Sequence, residues 1–248
     1  MFAHERQATI IVMLRKRRRF DVRELASTLG ISSATLRRDL SLLDRNNLVR
    51  RVHGGVLLPG DGAEEASLRQ KSVTAMQAKR RIAARVAGTI PRGATVFIDG
   101  GTTCLEAGLL LRRRADLTLV TNSLPLLAGY ERFAARLIVP GGELRAVSGA
   151  LVGSIALDAL ARLRADVALI GASGLHPADG ASTTELLEAS IKQQWIQKSG
   201  RVCLLADASK WRQPAAIRFA AWGEFQEFFT DTRPPRAFHR KTLGIILP

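Results

Sequence analysis

The spacing of apolar residues changes along the chain, and the change divides it. Ile10 to Leu14 is a short apolar run flanked by charge, which predicts a first helix. Val22, Leu25, Ala26 and Leu29 then recur at helical spacing. Asp21 stands where an N-cap is needed, with Glu24 three residues on as the returning partner of a capping box. Gly30 can end that helix in the left-handed conformation. Ser32 offers the cap of the next helix. In that helix Leu36, Leu40 and Leu43 fall on one face, and Ser33, Ala34, Arg37, Arg38, Ser41 and Arg45 on the other. Leu48 to Leu58 is two short extended runs around Gly54-Gly55, the pattern of a hairpin.

Pro59, Gly60, Asp61, Gly62 and Ala63 break the pattern and predict a linker over 58–75. Beyond it, strand and helix patterns alternate. Helices are expected over Ile82–Ile90, Cys104–Arg112, Leu124–Glu131 and Leu186–Lys198. Strands are expected over Thr95–Asp99, Leu117–Thr121, Leu137–Val139, Val167–Ile170 and Val202–Ala206, with Phe228-Phe229 as the last. This alternation predicts an α/β domain with a largely parallel sheet. The expected organisation is a winged helix-turn-helix over 1–57, a linker over 58–75, and an effector-sensing and oligomerisation domain over 76–248.

Charge sharpens the reading of the first segment. The formal net charge is +15, and the first 58 residues hold twelve lysines and arginines against five acidic residues. Such density is the footprint of a nucleic-acid binder. Small residues early in the second helix of the turn let its backbone approach base edges, and Arg37 and Arg38 can then reach guanine or phosphate. The expected DNA-contacting residues on that helix are Ser32, Ser33, Ala34, Thr35, Arg37, Arg38 and Ser41. Arg50, Arg51 and His53 are expected to project from the wing toward backbone phosphates or a minor groove. The run Arg15 to Arg19 suits either phosphate contact or a solvated helix end.

These residues carry a family resemblance. Ser32, Thr35, Arg37-Arg38-Asp39-Leu40 and then Arg51-Val52-His53-Gly54-Gly55 resemble the N-terminal motif of the DeoR family of bacterial repressors. Asp99 to Thr103, Thr121-Asn122-Ser123, Gly141-Gly142, Glu188 with Lys192, Asp207 with Ser209-Lys210, and Thr230-Asp231 resemble, in order, that family's effector-domain blocks. Gly100 departs from the family's usual serine, Gln77 from a frequent glutamate, and Pro140 from an aliphatic strand end. The resemblance implies a sensor fold related to ribose-5-phosphate isomerase and CoA transferases, and a phosphorylated sugar as effector.

The expected effector residues lie just past predicted strands, where parallel sheets form ligand crevices. They are Asp99, Gly100, Gly101, Thr102, Thr103, Thr121, Asn122, Gly141, Gly142, Lys192, Asp207 and Lys210; Gly171 to Gly174 occupies a similar position. Gly100 to Thr103 also opens a helix, so free backbone N–H groups and two hydroxyls make an anion cradle. Lys192 and Lys210 are placed to supply cations, and Asp99 to accept sugar hydroxyl hydrogens.

The leading expectation is a sequence-specific DNA-binding repressor of a carbohydrate operon, not an enzyme, released by a phosphorylated sugar and acting as a homo-oligomer. Two other classes fit parts of the pattern. A sugar-phosphate isomerase would need a carboxylate base, for which Asp99, Glu188 and Asp207 are available. A nonspecific architectural DNA binder would need no ligand crevice. Cys104 and Cys203, the only cysteines, form no metal-binding spacing and are expected to be small buried hydrophobes. No metal or cofactor is expected. No signal peptide or membrane span is evident, so a cytoplasmic location is expected.

Overall fold

The computed structural model describes residues 3–17, 19–45, 48–52, 55–57, 68–211, 214–238 and 243–248. They fall into two compact units, Met1–Glu65 and Ala66–Pro248.

The first unit contains α1 (Ala3–Lys16), β1 (Arg19–Asp21), α2 (Val22–Thr28), α3 (Ser33–Arg45), β2 (Arg50–Val52) and β3 (Gly55–Leu57). The strands form an antiparallel sheet with β3 in the middle. The apolar positions expected to face inward do so: Ile10, Leu14, Leu25, Leu36, Leu40, Leu43 and Val56 form one buried core. Asp21 caps α2 by accepting from Arg23 N and Glu24 N. It also ends β1, a strand that the apolar pattern was too short to reveal. Glu24 does not close a reciprocal capping box; its carboxylate pairs with Arg17 instead. Gly30 takes φ +63° at the turn, and Ser32 Oγ accepts from Thr35 N at 3.1 Å. Asp39, 5% exposed in α3, accepts from Arg6 Nε at 2.5 Å and from Gln7 Nε2 at 3.2 Å. That buried charge ties α1 to α3.

The second unit opens with α4 (Leu68–Val73) and α5 (Met76–Ala87). Thus the segment expected as a 58–75 linker contains a helix; its residues 58–67 lie outside the described ones. Next come β4 (Thr95–Ile98), α6 (Thr102–Leu111), β5 (Thr118–Thr121), α7 (Leu124–Leu127), β6 (Arg136–Ile138), β7 (Glu143–Arg145), β8 (Ala150–Val152), α8 (Ser154–Ala161) and β9 (Ala165–Gly171). The unit continues with β10 (Gly174–His176), β11 (Gly180–Thr183), α9 (Leu186–Gln197), β12 (Ser199–Leu205), β13 (Ile217–Ala220), β14 (Glu227–Phe229) and β15 (Gly244–Ile246).

Among the described residues, the main sheet is seven-stranded and parallel, in the order β15-β14-β12-β9-β4-β5-β6. Period-2 alternation sends successive side chains into two cores. Val96, Ile98, Leu119 and Leu169 pack with Ile82, Val86 and Ala107 of α5 and α6. Phe97, Val120, Ala168 and Ile170 pack with Leu160, Ile191 and Trp195 of α8 and α9. The sheet is therefore buried on both faces, as its near-continuous apolar strands require.

Four differences from the sequence pattern have local causes. The helix expected over Leu124–Glu131 stops at Leu127, because Gly129 turns left-handed at φ +88° before a 3-10 turn at Tyr130–Arg132. The helix expected from Ile82 begins earlier, at Met76. The hairpin of β7 and β8 and the sheet β10-β11-β13 are made of segments too short to show a period. Phe228-Phe229 is followed by an edge strand, β15.

Cys104 and Cys203 are both free and buried. Burial pushes the Cys203 thiol up to about 12 and the Cys104 thiol well above its ordinary range. Since the thiolate is the reactive form, both should be protonated and inert at pH 8. Iodoacetamide should modify neither in the native protein and both after unfolding in urea. Rapid native labelling of either cysteine would contradict this burial.

Candidate effector cleft and DNA-facing surface

The sheet order reverses between β4 and β9: the chain moves outward through β5 and β6 on one side, and through β12, β14 and β15 on the other. At such a switch point the loops past two neighbouring strands diverge and leave a crevice. A cleft of about 660 Å³, part of it open to solvent, lies there. Asp99, Gly100, Gly101, Thr102 and Thr103 line it from β4, and Gly171, Ala172 and Ser173 from β9. Lys192 and Glu188 enter from α9, Ser148 and Ala150 from the β7–β8 hairpin, and Lys210 from the loop after β12. Leu68 and Lys71 of α4, with Thr183, Leu205 and Ala206, complete the lining.

One buried ion pair sets the floor of this cleft. Asp99 is 4% exposed and Lys192 5%. The Lys192 ammonium donates to Asp99 Oδ2, and also to Gly171 O at 3.1 Å. The same Oδ2 accepts from Gly171 N at 2.9 Å. Burial lowers the Lys192 pKa, but the Asp99 charge, the Glu188 charge and the bond to Asp99 together hold it above its ordinary value. Lys192 is therefore charged but locally neutralised, which reduces the role expected of it as a cation for phosphate.

The N-terminus of α6 faces the same space. Its cap is Gly101, with no side-chain capping bond, and the first bond back to the cap comes from Leu105 N. The first N–H groups of a helix have no partner within it, and an anion is favoured there. Gly100, where the family resemblance leads one to expect serine, packs closely: a Cβ would sit 3.1 Å from Ala150 Cβ. The absence of a side chain fits the hairpin that lies over it.

Five expected effector residues do not line the cleft. Thr121 Oγ1 donates to Ile98 O at 2.7 Å and accepts from Ser123 N at 3.1 Å, fixing the end of β5. Asn122 Nδ2 donates to Leu151 O at 3.0 Å and so holds β8. Gly142, at φ +113°, leaves room for Val152 O, which a Cβ would approach to 2.5 Å; Gly141 sits beside it at φ +76°. Asp207 caps the 3-10 turn Ala208–Lys210 through Ser209 N at 3.0 Å. The cleft is lined from the ends of β4, β9 and β12, and not from the ends of β5 and β6.

The α4 wall was missed, because its sequence reads as part of a linker. Leu68 N donates to Val147 O at 2.9 Å. The buried Lys79 ammonium donates to Lys71 O, and to Thr74 O at 2.6 Å, across a corner where Ala75 is left-handed at φ +53°. Burial lowers the Lys79 pKa; Asp207 opposes the shift, and the charges of Lys210 and Lys71 add to it. Glu188 is engaged by Arg145 at 3.1 Å and by Thr183 Oγ1 at 3.2 Å.

In the first unit, Arg37, Arg38, Ser41 and Leu42 line a shallow depression on α3. Arg37 and Arg38 are exposed, as are Ser32 and Ala34, while Ser33, Thr35 and Ser41 are half-buried. Arg51 is exposed but leans back onto α3, where its guanidinium donates to Ser41 Oγ at 2.8 Å. It braces the wing strand as well as presenting charge. His53 and the side chains of Arg45 and Arg50 lie outside the described residues. Among the described residues, no group of three His, Cys, Asp or Glu is placed to hold a metal, and no helix is long and apolar enough to cross a membrane.

Comparison with known proteins gives concordant matches for both units. The family described as the DeoR C terminal sensor domain matches residues 74–232, and the DeoR-like helix-turn-helix domain matches residues 6–60. The chain is 32% identical over 234 residues to the glycerol-3-phosphate regulon repressor of Escherichia coli strain K12, covering 93% of this chain and 92% of that protein. It is 32% identical over 231 residues to the HTH-type transcriptional regulator GlpR of Haloferax volcanii, covering 93% and 91%. Among solved structures, a D-ribose-5-phosphate isomerase in complex with phospho-erythronic acid is 17% identical, covering 55% of this chain and 54% of that one, with a TM-score of 0.41.

The buried pair yields a stability prediction. Lys192→Met leaves Asp99 buried without its cation and should cost about 3–5 kcal/mol, read from urea unfolding. Adding Asp99→Asn should restore a large part of that loss. A single-variant loss below about 1 kcal/mol would contradict a desolvated pair.

Proposed function

Because the chain belongs to the DeoR family of helix-turn-helix regulators, we propose that it represses a carbohydrate operon and releases its operator on binding a phosphorylated sugar. The observation that carries the effector reading is the cleft at the β4–β9 reversal, where the uncapped start of α6 meets Lys210 and Lys71. Backbone N–H groups and ammonium groups suit a phosphate; the polar groups deeper in the cleft suit sugar hydroxyls. A regulator rather than an isomerase is supported by the family matches, a helix-turn-helix domain over residues 6–60 and a sensor domain over residues 74–232.

On the DNA side, Arg37 and Arg38 read base edges from α3, and the wing contacts phosphate. One winged domain covers little DNA, so operator affinity comes from at least two copies joined through the second unit. The exposure of Ile155, Leu186 and Leu144 on that unit supports self-association. The effector acts by binding one arrangement of the assembly better than the other.

Arg37→Ala or Arg38→Ala should cost about 1–3 kcal/mol on the operator and much less on random DNA. Equal losses on both would demote that arginine to a phosphate contact. For the effector, calorimetry on the full chain should detect a phosphorylated sugar and not the free sugar. Lys210→Ala should keep operator binding but lose release by that effector. Operator release at the wild-type effector concentration would remove Lys210 from the site, and a strictly monomeric protein with full operator affinity would overturn the assembly mechanism.

A further inference from the structure

We propose that the amino edge of the seven-stranded sheet is a second, sequence-independent contact surface for duplex DNA, carried by the second unit. It lies at the opposite ends of the strands from the effector cleft and does not depend on the identity of the effector.

The charge of this unit is sorted by strand direction. Because β9, β4, β5 and β6 are parallel neighbours, and β12 lies parallel beside β9, the segments that enter these strands share one edge. Those segments, 91–94, 112–117, 128–136, 162–166 and 198–201, hold ten lysines and arginines against Asp116, Glu131 and Asp166. Two of the ten are committed within the fold: Arg114 holds Asp116, and Arg201 holds Glu227. Asp166 is engaged by the backbone, accepting from Thr95 N at 2.8 Å. Arg92, Arg113, Arg132, Arg136, Arg162 and Arg164 are exposed, and their side chains form no ion pair among the described residues.

Helix ends explain only part of this excess. The helices α5, α6, α8 and α9 each lead into a strand at this edge, and a helix C-terminus carries about half a negative charge. Four such ends call for about two cations, fewer than the exposed arginines supply. Nor does the row suit a small anion. Arg164 precedes β9, Arg92 precedes β4, Arg113 precedes β5, and Arg136 begins β6. Neighbouring strands lie about 4.8 Å apart, so these four are strung over roughly 15 Å. A duplex carries one charge for about every 1.7 Å of its axis and can follow such a row with its backbone. Guanidinium groups suit phosphate oxygens through paired hydrogen bonds. The spacing therefore recognises an extended polyanion, and the helix-turn-helix unit of the same chain brings DNA to it at high local concentration.

The test is the affinity of the full chain for a random-sequence duplex, read by fluorescence anisotropy over a series of salt concentrations. Arg92→Gln combined with Arg162→Gln and Arg164→Gln should lower affinity at least about tenfold at low salt. It should also flatten the slope of log affinity against log salt by about two to three, since each phosphate contact contributes about 0.9. The same three positions changed to lysine keep the charge and should hold the slope within about one contact of the wild type. Arg218→Gln combined with Arg233→Gln and Arg236→Gln removes as much charge from exposed arginines elsewhere on the unit, in β13 and past the carboxyl end of β14. That control should change the slope by less than about one. A wild-type slope in the Arg92, Arg162 and Arg164 glutamine variant would overturn the proposal and leave the row as compensation for helix ends. A loss no larger than that of the control would overturn it too, because it would report net charge alone.

Discussion

The second unit is organised around a charge taken out of water. Asp99 and Lys192 are brought together from the end of β4 and the middle of α9, and the backbone of Gly171 at the end of β9 bonds to both. Separating two buried charges is far more costly than separating exposed ones. The pair therefore fixes the two loops that must diverge for a crevice to exist, and fixes α9 against them. It also determines the character of the cleft. Lys192 is thereby held to Asp99 in the cleft that Thr102 and Thr103 of α6 also line.

The first unit uses the same device on a smaller scale. Asp39 lies on the helix that carries Arg37 and Arg38, yet it faces inward and holds Arg6 and Gln7 of α1. The arginines remain outside because their neighbours Leu36, Asp39 and Leu40 are anchored within. Arg51 joins that arrangement from the wing through Ser41.

Much of the fold was legible because its elements are periodic. The leucines of α3, the caps Asp21 and Ser32 and the strands β4, β5, β9 and β12 follow local rules that neighbouring residues settle. Short strands such as β7, β10 and β13 were not legible, because three or four residues do not display a period. The site was half legible. Asp99 to Thr103, Lys192 and Lys210 share the cleft. Thr121, Asn122, Gly141, Gly142 and Asp207 have similar chemistry after similar strands, yet brace the loops and hairpin around it.

The amino-acid sequence by itself determined the helix-turn-helix with its outward arginines, the α/β alternation, and the set of polar loops from which a site is drawn. Those properties depend on contacts a few residues apart. Only the tertiary structure decided which loops meet, that Lys192 spends its charge on Asp99, and that a helix in the apparent linker brings Lys71 to the cleft. Strand order and the pairing of charges 93 residues apart are set by which faces bury together. Local spacing carries no record of that choice.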